Sequence, residues 1–340
     1  MSTLAELGEA ELLQRLALFA PPGQLDDDTA CLAPDPRSLI VNTDVLVDGI
    51  HFSDNTTSAE DAGWRAVAAN LSDLAASGVT SVDGITVGLV APGDTRWDWV
   101  EGVYSGISSA LKQFGGVLLG GDCSAGTNRL LAITALGRLG PLQLLRSGAE
   151  PGDVVVTSGA HGLSRLGLAL LRQEVDPASA ALNQALQERA IQQHRRPVPR
   201  FDALNSLLRC KPANLPWRAG GTDSSDGLIA AVQGLCRASG CGAVLQHSAI
   251  PRPNGWPQGE RWDHWCLSGG EDFELVLTLP PAWAKAWQIA MPGSHCLGRM
   301  TEEADRMIWS DGSTVSGSSG FDHFQTETSG QKKPSQQGGL

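Results

Sequence analysis

Acidic residues recur at five places in this chain: Asp27 with Asp28, Asp44, Asp73, Asp122, and Asp223 with Asp226. Most stand beside Gly, Ser or Thr, where the sequence predicts a strand or helix to end. Carboxylates drawn together without matching Lys or Arg are costly to keep charged. Divalent cations with oxygen ligands remove that cost, and Mg²⁺ usually shares its carboxylates with substrate phosphates. The pattern therefore points to a nucleotide site in an acidic chain. Each site alone has a plainer reading. Asp26-Asp27-Asp28 reads as a solvated turn and Asp73 as a solvated helix residue. Gly120-Gly121-Asp122 reads equally as an ordinary glycine turn with a capping acid at a strand end, and Asp223 with Asp226 as an N-cap and its partner. Recurrence tips the balance.

Several familiar chemistries are excluded directly. The lysines are Lys112, Lys211, Lys285, Lys332 and Lys333, none followed by Ser or Thr, so there is no P-loop. The Gly loop, strand lysine and HRD of protein kinases are missing, as is the GxSxG of hydrolases. A formal charge of −12 argues against nucleic acid or an anionic membrane as partner. No basic and apolar leader and no membrane-length apolar run is present, so a cytoplasmic protein is expected. The seven cysteines, without CxxC or CxxH pairing, read as reduced thiols.

One helix must organise these acids. Ser58 to Gly78 has Trp64, Val67, Ala68, Leu71, Leu74 and Ala75 at helical spacing, with Asn70, Asp73 and Ser77 as a polar line beside them. Ser58 is its N-cap, Asp61 completes a capping box, and Gly78 is the left-handed stop. Residues 1–18 form a short helix with Leu12, Leu13, Leu16 and Leu18 on its apolar side. Strands are expected at 38–45, 84–90, 117–119 and 129–138, and a helix at 94–114. Residues 140–153 are turn-rich and mark a boundary. Beyond it, strands at 154–157, 243–246, 275–279 and 296–300 alternate with helices at 163–173, 179–193 (Ser179 as N-cap) and 228–237. With 340 residues, 41% of them hydrophobic, the chain supports an α/β fold of two domains, 1–140 and 150–325, followed by a disordered polar tail at 326–340.

Taken together, the motifs DDDTA (26–30), NTDVLVDGIHF (42–52), NLSDLAASG (70–78), GGD (120–122), RSGAEPGD (146–153), DSSDGL (223–228), SGGEDFEL (268–275) and GFDHF (320–324) resemble the aminoimidazole ribonucleotide synthetase superfamily. Within it they are most similar to the thiamine-monophosphate kinase family, in family order from about residue 10 to 324. The resemblance implies a dimerising N-terminal sheet domain, a C-terminal α/β domain and a homodimer. It also implies phosphorylation of thiamine monophosphate by ATP. Asp28, Asn42, Thr43, Asp44, Asp73, Asp122, Asp223 and Asp226 match positions that hold several Mg²⁺ ions, with Asp44, Asp73 and Asp122 carrying the catalytic role. Gly121, Asp122, Arg146 and Ser225 match nucleotide contacts, and His51, Glu271 and Phe321 match contacts to thiamine monophosphate.

Three positions depart from the pattern. Asp26 replaces the usual Gly before the acidic pair, Asn42 a common Ser, and Phe321 a common Tyr or Trp. No carboxylate is lost. Another ligase of the superfamily is the nearest alternative, disfavoured by RSGAEPGD, GGEDFEL and GFDHF together. A non-catalytic maturation scaffold would need a C-terminal cysteine, and the last one here is Cys296.

Overall fold

The computed structural model describes residues 2–315, so Phe321 and the expected tail at 326–340 lie outside the described residues. In chain order the first half holds α1 (Leu4–Leu16), β1 (Leu39–Val47), α2 (Ala59–Ala76), β2 (Val79–Ala91), α3 (Trp97–Phe114), β3 (Val117–Ala125) and β4 (Leu130–Leu139). Among the described residues the four strands form one sheet, ordered β1-β4-β2-β3. Residues alternate across it. Ile85, Val87 and Leu89 of β2, with Leu131, Ile133 and Ala135 of β4, are buried on the face covered by α2 and α3. The opposite face of β1 is open, with Leu39, Val41 and Val45 at 41%, 53% and 42% exposure.

The two helices pack without side chains between their backbones at two points. A Cβ on Gly63 would meet Val103 O at 1.9 Å, and one on Gly106 would meet Glu60 O at 1.9 Å. α2 is buried almost throughout, because it also meets the second sheet.

The second half holds β5 (Val154–Thr157), α4 (Leu163–Leu171), α5 (Gln184–Arg195), α6 (Phe201–Arg209), β6 (Gly220–Asp223), α7 (Leu228–Ser239) and β7 (Gly242–Leu245). After these come α8 (Glu260–Ser268), β8 (Leu275–Leu279), α9 (Pro281–Ala290), β9 (His295–Thr301) and β10 (Met307–Trp309). The described strands form a six-stranded sheet, β10-β7-β9-β5-β8-β6. Every residue of β5 and β8 is buried, because helices cover both faces. Val155 and Val276 point to the side of α4, α5 and α7, while Val154, Val156, Leu275 and Leu277 point to α6 and α9.

Several expectations need correction. Leu13 and Leu18 are exposed at 46% and 84%, so only Leu12 and Leu16 form the buried side of α1. Ser58 does cap α2, accepting from Asp61 N at 3.1 Å, but Asp61 turns its carboxylate to Arg196 at 2.6 Å instead of closing a capping box. α5 starts at Gln184, capped by Asn183, because Ser179 is engaged in a local turn with Asp176. β2 begins at Val79, immediately after the left-handed Gly78, where 84 was expected. Residues 117–119 are only the start of a strand that runs on to Ala125. α6, α8, α9, β6 and β10 lie outside the elements expected from the sequence. α6 and α9 bind each other through two buried tryptophans, Trp283 Nε1 donating to Leu207 O at 3.0 Å and Trp287 Nε1 to Ala203 O at 3.1 Å.

Candidate active site

The site is assembled where α2 and β1 of the first sheet meet β6 and the turn after it. Strand alternation aims Asn42 and Asp44 toward α2 and turns Thr43 the other way, where its hydroxyl meets Thr134 Oγ1 at 2.8 Å. Thr43 therefore has only its backbone available to a metal on the α2 side. Asn42 Nδ2 donates to Asp73 Oδ2 at 3.0 Å and to Asn70 Oδ1 at 3.2 Å. Asn70 Oδ1 also accepts from Asp44 N at 3.1 Å, and its own amide is tied back to Ala66 O at 2.8 Å. Asn70 thus locks strand to helix, a role beyond the sequence reading, which saw only a polar line.

From the other sheet, Asp223 ends β6 fully buried. Ser72 Oγ donates to its Oδ2 at 2.7 Å and Ser225 Oγ to its Oδ1 at 2.8 Å. It does not cap α7, which begins after Gly227 at φ 100° with no side-chain cap. The functional reading of DSSDGL gains accordingly. Asp226 is exposed beside it, and Arg146 lies across β6 with Nε 3.2 Å from Thr222 Oγ1.

The electrostatics are those of an uncompensated cluster. Burial, then Asp223 and Asp44, push Asp73 up to about 7, relieved by the Asn42 hydrogen bond and by Arg146. Asp44 is raised by burial and by Asp223 and Asp226. Asp223 is raised by its own burial. Asn42 Oδ1 is buried without a hydrogen-bond partner. Among the described residues no three His, Cys, Asp or Glu side chains stand close enough to hold an ion by themselves. The donors suit Mg²⁺ nevertheless. They are oxygens short of cationic partners, and Mg²⁺ commonly takes one or two carboxylates and completes its shell with phosphate and water.

Asp28, Gly121 and Asp122 form a second group. With Asp26, Asp27 and Thr29 they line a cavity of about 770 Å³ between the acidic turn and β3, to which Gln24 Nε2 ties the turn at Leu119 O, 3.0 Å. Gly120-Gly121-Asp122 is neither a turn nor a strand end, since β3 continues through it opposite Val87 and Gly88. Gly121 is needed because a Cβ there would lie 2.1 Å from Val87 O.

The remaining candidates gather around Arg65 of α2. Glu271 Oε1 accepts from Arg65 Nη2 at 2.6 Å, and His51 O lies 3.4 Å from the same nitrogen. His51 Nδ1 accepts from Val47 N at 3.0 Å. The other acids of the SGGEDFEL segment are structural. Asp272 holds the N-terminus of α4 through Gly162 N at 2.6 Å and Ser164 N at 2.9 Å, and Glu274 pairs with Arg200. The tryptophan-rich 256–265 segment packs on itself, with Trp262 edge-on to both Trp256 and Trp265.

Comparison with known proteins gives a consistent picture. The model of the AIR synthase related protein N-terminal domain matches residues 26–139. A thiamine-monophosphate kinase of Prochlorococcus marinus is 54% identical, covering 94% of this chain and 97% of its own length. The Escherichia coli K12 thiamine-monophosphate kinase is 34% identical over 94% of this chain and 99% of its own. Among solved structures, AaThiL complexed with AMPPCP and TMP superposes with a TM-score of 0.73 at 29% identity, covering 95% of this chain and 99% of that one. A hydrogenase maturation protein, HypE, in complex with ATP shares the fold at a TM-score of 0.71 and 17% identity, over 92% and 96% of the two chains.

Proposed function

Because the chain belongs to the thiamine-monophosphate kinase family, we propose that it transfers the γ-phosphoryl group of ATP to the phosphate of thiamine monophosphate, yielding thiamine diphosphate and ADP. The observation that carries this reading is the meeting of half-buried Asp44 and Asp73 with buried Asp223, where burial raises all three and neighbouring carboxylates raise Asp44 and Asp73 further. Such a cluster is built for cations that arrive with phosphates.

Asp44, Asp73, Asp223 and Asp226, with the Asn42 oxygen and the Thr43 backbone, would hold Mg²⁺ on one side of the phosphates. Asp28 and Asp122 would do so from the second cavity, where the Gly121 backbone admits the nucleotide. Bound Mg²⁺ supplies charge neutralisation as the two polyanions approach and the phosphoryl group moves. Arg146 adds a fixed positive charge beside Thr222 at the nucleotide. Ser225 and Ser72 orient Asp223 by donating to both of its oxygens, and those hydrogen bonds oppose the upward push of its burial. His51 faces the acceptor phosphate, and Glu271 the cationic heterocycle. The nucleophile is a phosphate oxygen already ionised at neutral pH. The protein's contribution is therefore positioning and charge stabilisation, without a general base or a covalent intermediate.

The direct check is ADP release in the presence of Mg²⁺ with each candidate acceptor. Release is expected with thiamine monophosphate and not with precursors of aminoimidazole ribonucleotide. The reverse preference would move the chain to another ligase of the superfamily.

The same reading makes residues 1–140 and 150–325 two folding units and the molecule a homodimer. The open face of β1 supports a second copy as its cover, because three exposed branched apolar residues alternate along it. Light scattering at micromolar concentration should give twice the chain mass, and Val41→Asp combined with Val45→Asp should give a monomer. A wild-type monomer would count against this assembly. Seven free cysteines and no described helix long and apolar enough to cross a membrane agree with work in the cytoplasm.

A further inference from the structure

Arg65 and Ser72 leave α2 from nearly the same face, being seven residues apart. Their partners lie on the other side of the active site. Ser72 Oγ donates to Asp223 Oδ2 at 2.7 Å, and Arg65 Nη2 donates to Glu271 Oε1 at 2.6 Å. Those two partners are themselves joined. Glu271 N donates to Ser225 O at 2.7 Å, and Ser225 Oγ donates to Asp223 Oδ1 at 2.8 Å. The bonds close a ring from α2 through the substrate-side loop to the metal-side carboxylate and back to α2.

Arg65 is the cationic member of that ring. Its side chain is 4% exposed, so its charge needs a partner. His194, whose Nδ1 lies 3.7 Å from Glu271 Oε2, brings no charge, because burial and then Arg65 itself push it down to about 2. Arg65 and Glu271 are therefore each other's counter-ion, while Arg65 Nη1 donates to the His194 carbonyl. Glu271 and Phe273 also sit at φ 56° and 54°. Left-handed backbone at residues other than glycine persists only where its surroundings hold it there.

We propose that Arg65 is a positioning residue for the phosphoryl acceptor: its guanidinium fixes Glu271, and with it the Ser268–Leu275 loop, at a set distance from Asp223. One helix would then determine how far the thiamine side of the site stands from the phosphate side. The proposal rests on the reading of Glu271 as a substrate-side group, and it assigns Arg65 no contact with the reacting atoms.

The test uses the full chain with Arg65→Met, Arg65→Lys and Glu271→Gln. Arg65→Met should raise the KM for thiamine monophosphate by about tenfold or more while the KM for ATP stays within about twofold. Arg65→Lys, which keeps the charge but loses the planar fork, should fall between the wild type and Arg65→Met. Adding Glu271→Gln to Arg65→Met should cost less than the product of the two single effects. In the ligand-free protein, amide hydrogen exchange across 268–275 should speed up in Arg65→Met. Equal rises in both KM values, or unchanged exchange in that loop, would overturn the proposal. If Arg65→Met does not fold, Arg65→Lys is read by the same two measurements. A wild type that leaves thiamine monophosphate unphosphorylated would overturn the functional reading instead, and the exchange comparison would still decide the positioning role.

Discussion

Asp73→Asn loses turnover by about 10³-fold or more, yet the metal-free variant melts above the wild type. Both effects have one cause. Asp73 is raised from 3.8 to about 7 by burial, and then by Asp223 and Asp44. Between those values the native protein holds a proton that the unfolded chain releases. Its contribution to stability is therefore complete below about pH 4 and is lost as pH rises toward 7. Above that, the wild type carries a half-buried negative charge on Asp73 beside the carboxyl groups of Asp44 and Asp223. Asparagine keeps the shape and can still accept from Asn42, but it has no charge to repel Asp44 and Asp223, and none to offer a cation. Melting curves of the metal-free proteins from pH 4 to 8 should show the wild type falling with pH and the variant falling less. Asp272, pushed to about 7 by burial, titrates in the same window, so the variant's slope shrinks without vanishing. Mg²⁺ with ATP should stabilise the wild type more than the variant. Turnover within about tenfold of wild type, together with a lower melting temperature, would make Asp73 a structural residue.

Much of this site is legible in the sequence because its residues lie on elements with strong periodicity. The apolar stripe of α2 fixes which face is buried, and Asn70 and Asp73 follow from that face. β1 alternates cleanly, which places Asn42 and Asp44 together. The same alternation turns the Thr43 side chain away, a consequence the motif alone did not display. GGD misleads because adjacent glycines normally signal a turn. Here Gly121 is required by the neighbouring strand at Val87 O, a tertiary contact with no local trace. α6 and α9 escape for a similar reason. The tryptophans of α9 are satisfied by backbone carbonyls of α6, and neither helix begins with a side-chain cap. The role of Arg65 is equally hidden. Within its helix it is a basic residue next to Trp64, and its carboxylate partner, Glu271, comes from 206 positions away.

Thiamine monophosphate is phosphorylated, and free thiamine is turned over at least about 10³-fold less efficiently. Metal ions held by the acidic cluster need phosphate oxygens from donor and acceptor to complete about six ligands each. Thiamine offers a neutral hydroxyl, a poor ligand that must also lose a proton as it attacks. The histidines near the site do not supply a base for it. His194 is held neutral far from neutral pH, and Nδ1 of His51 already accepts from Val47 N. Glu271→Gln should weaken thiamine monophosphate binding and leave ATP binding intact, since the carboxylate meets the cationic ring and not the nucleotide.

The central claim is that phosphate is joined to phosphate, and ³¹P NMR of the wild-type enzyme with ATP, Mg²⁺ and an equimolar mixture of thiamine monophosphate and thiamine observes that bond directly. The account predicts that the thiamine monophosphate signal is replaced by the paired resonances of thiamine diphosphate, one for each ADP formed, with free thiamine untouched. Conversion of free thiamine while thiamine monophosphate stays inert, or ADP formed with no new diphosphate on the thiamine product, would contradict it.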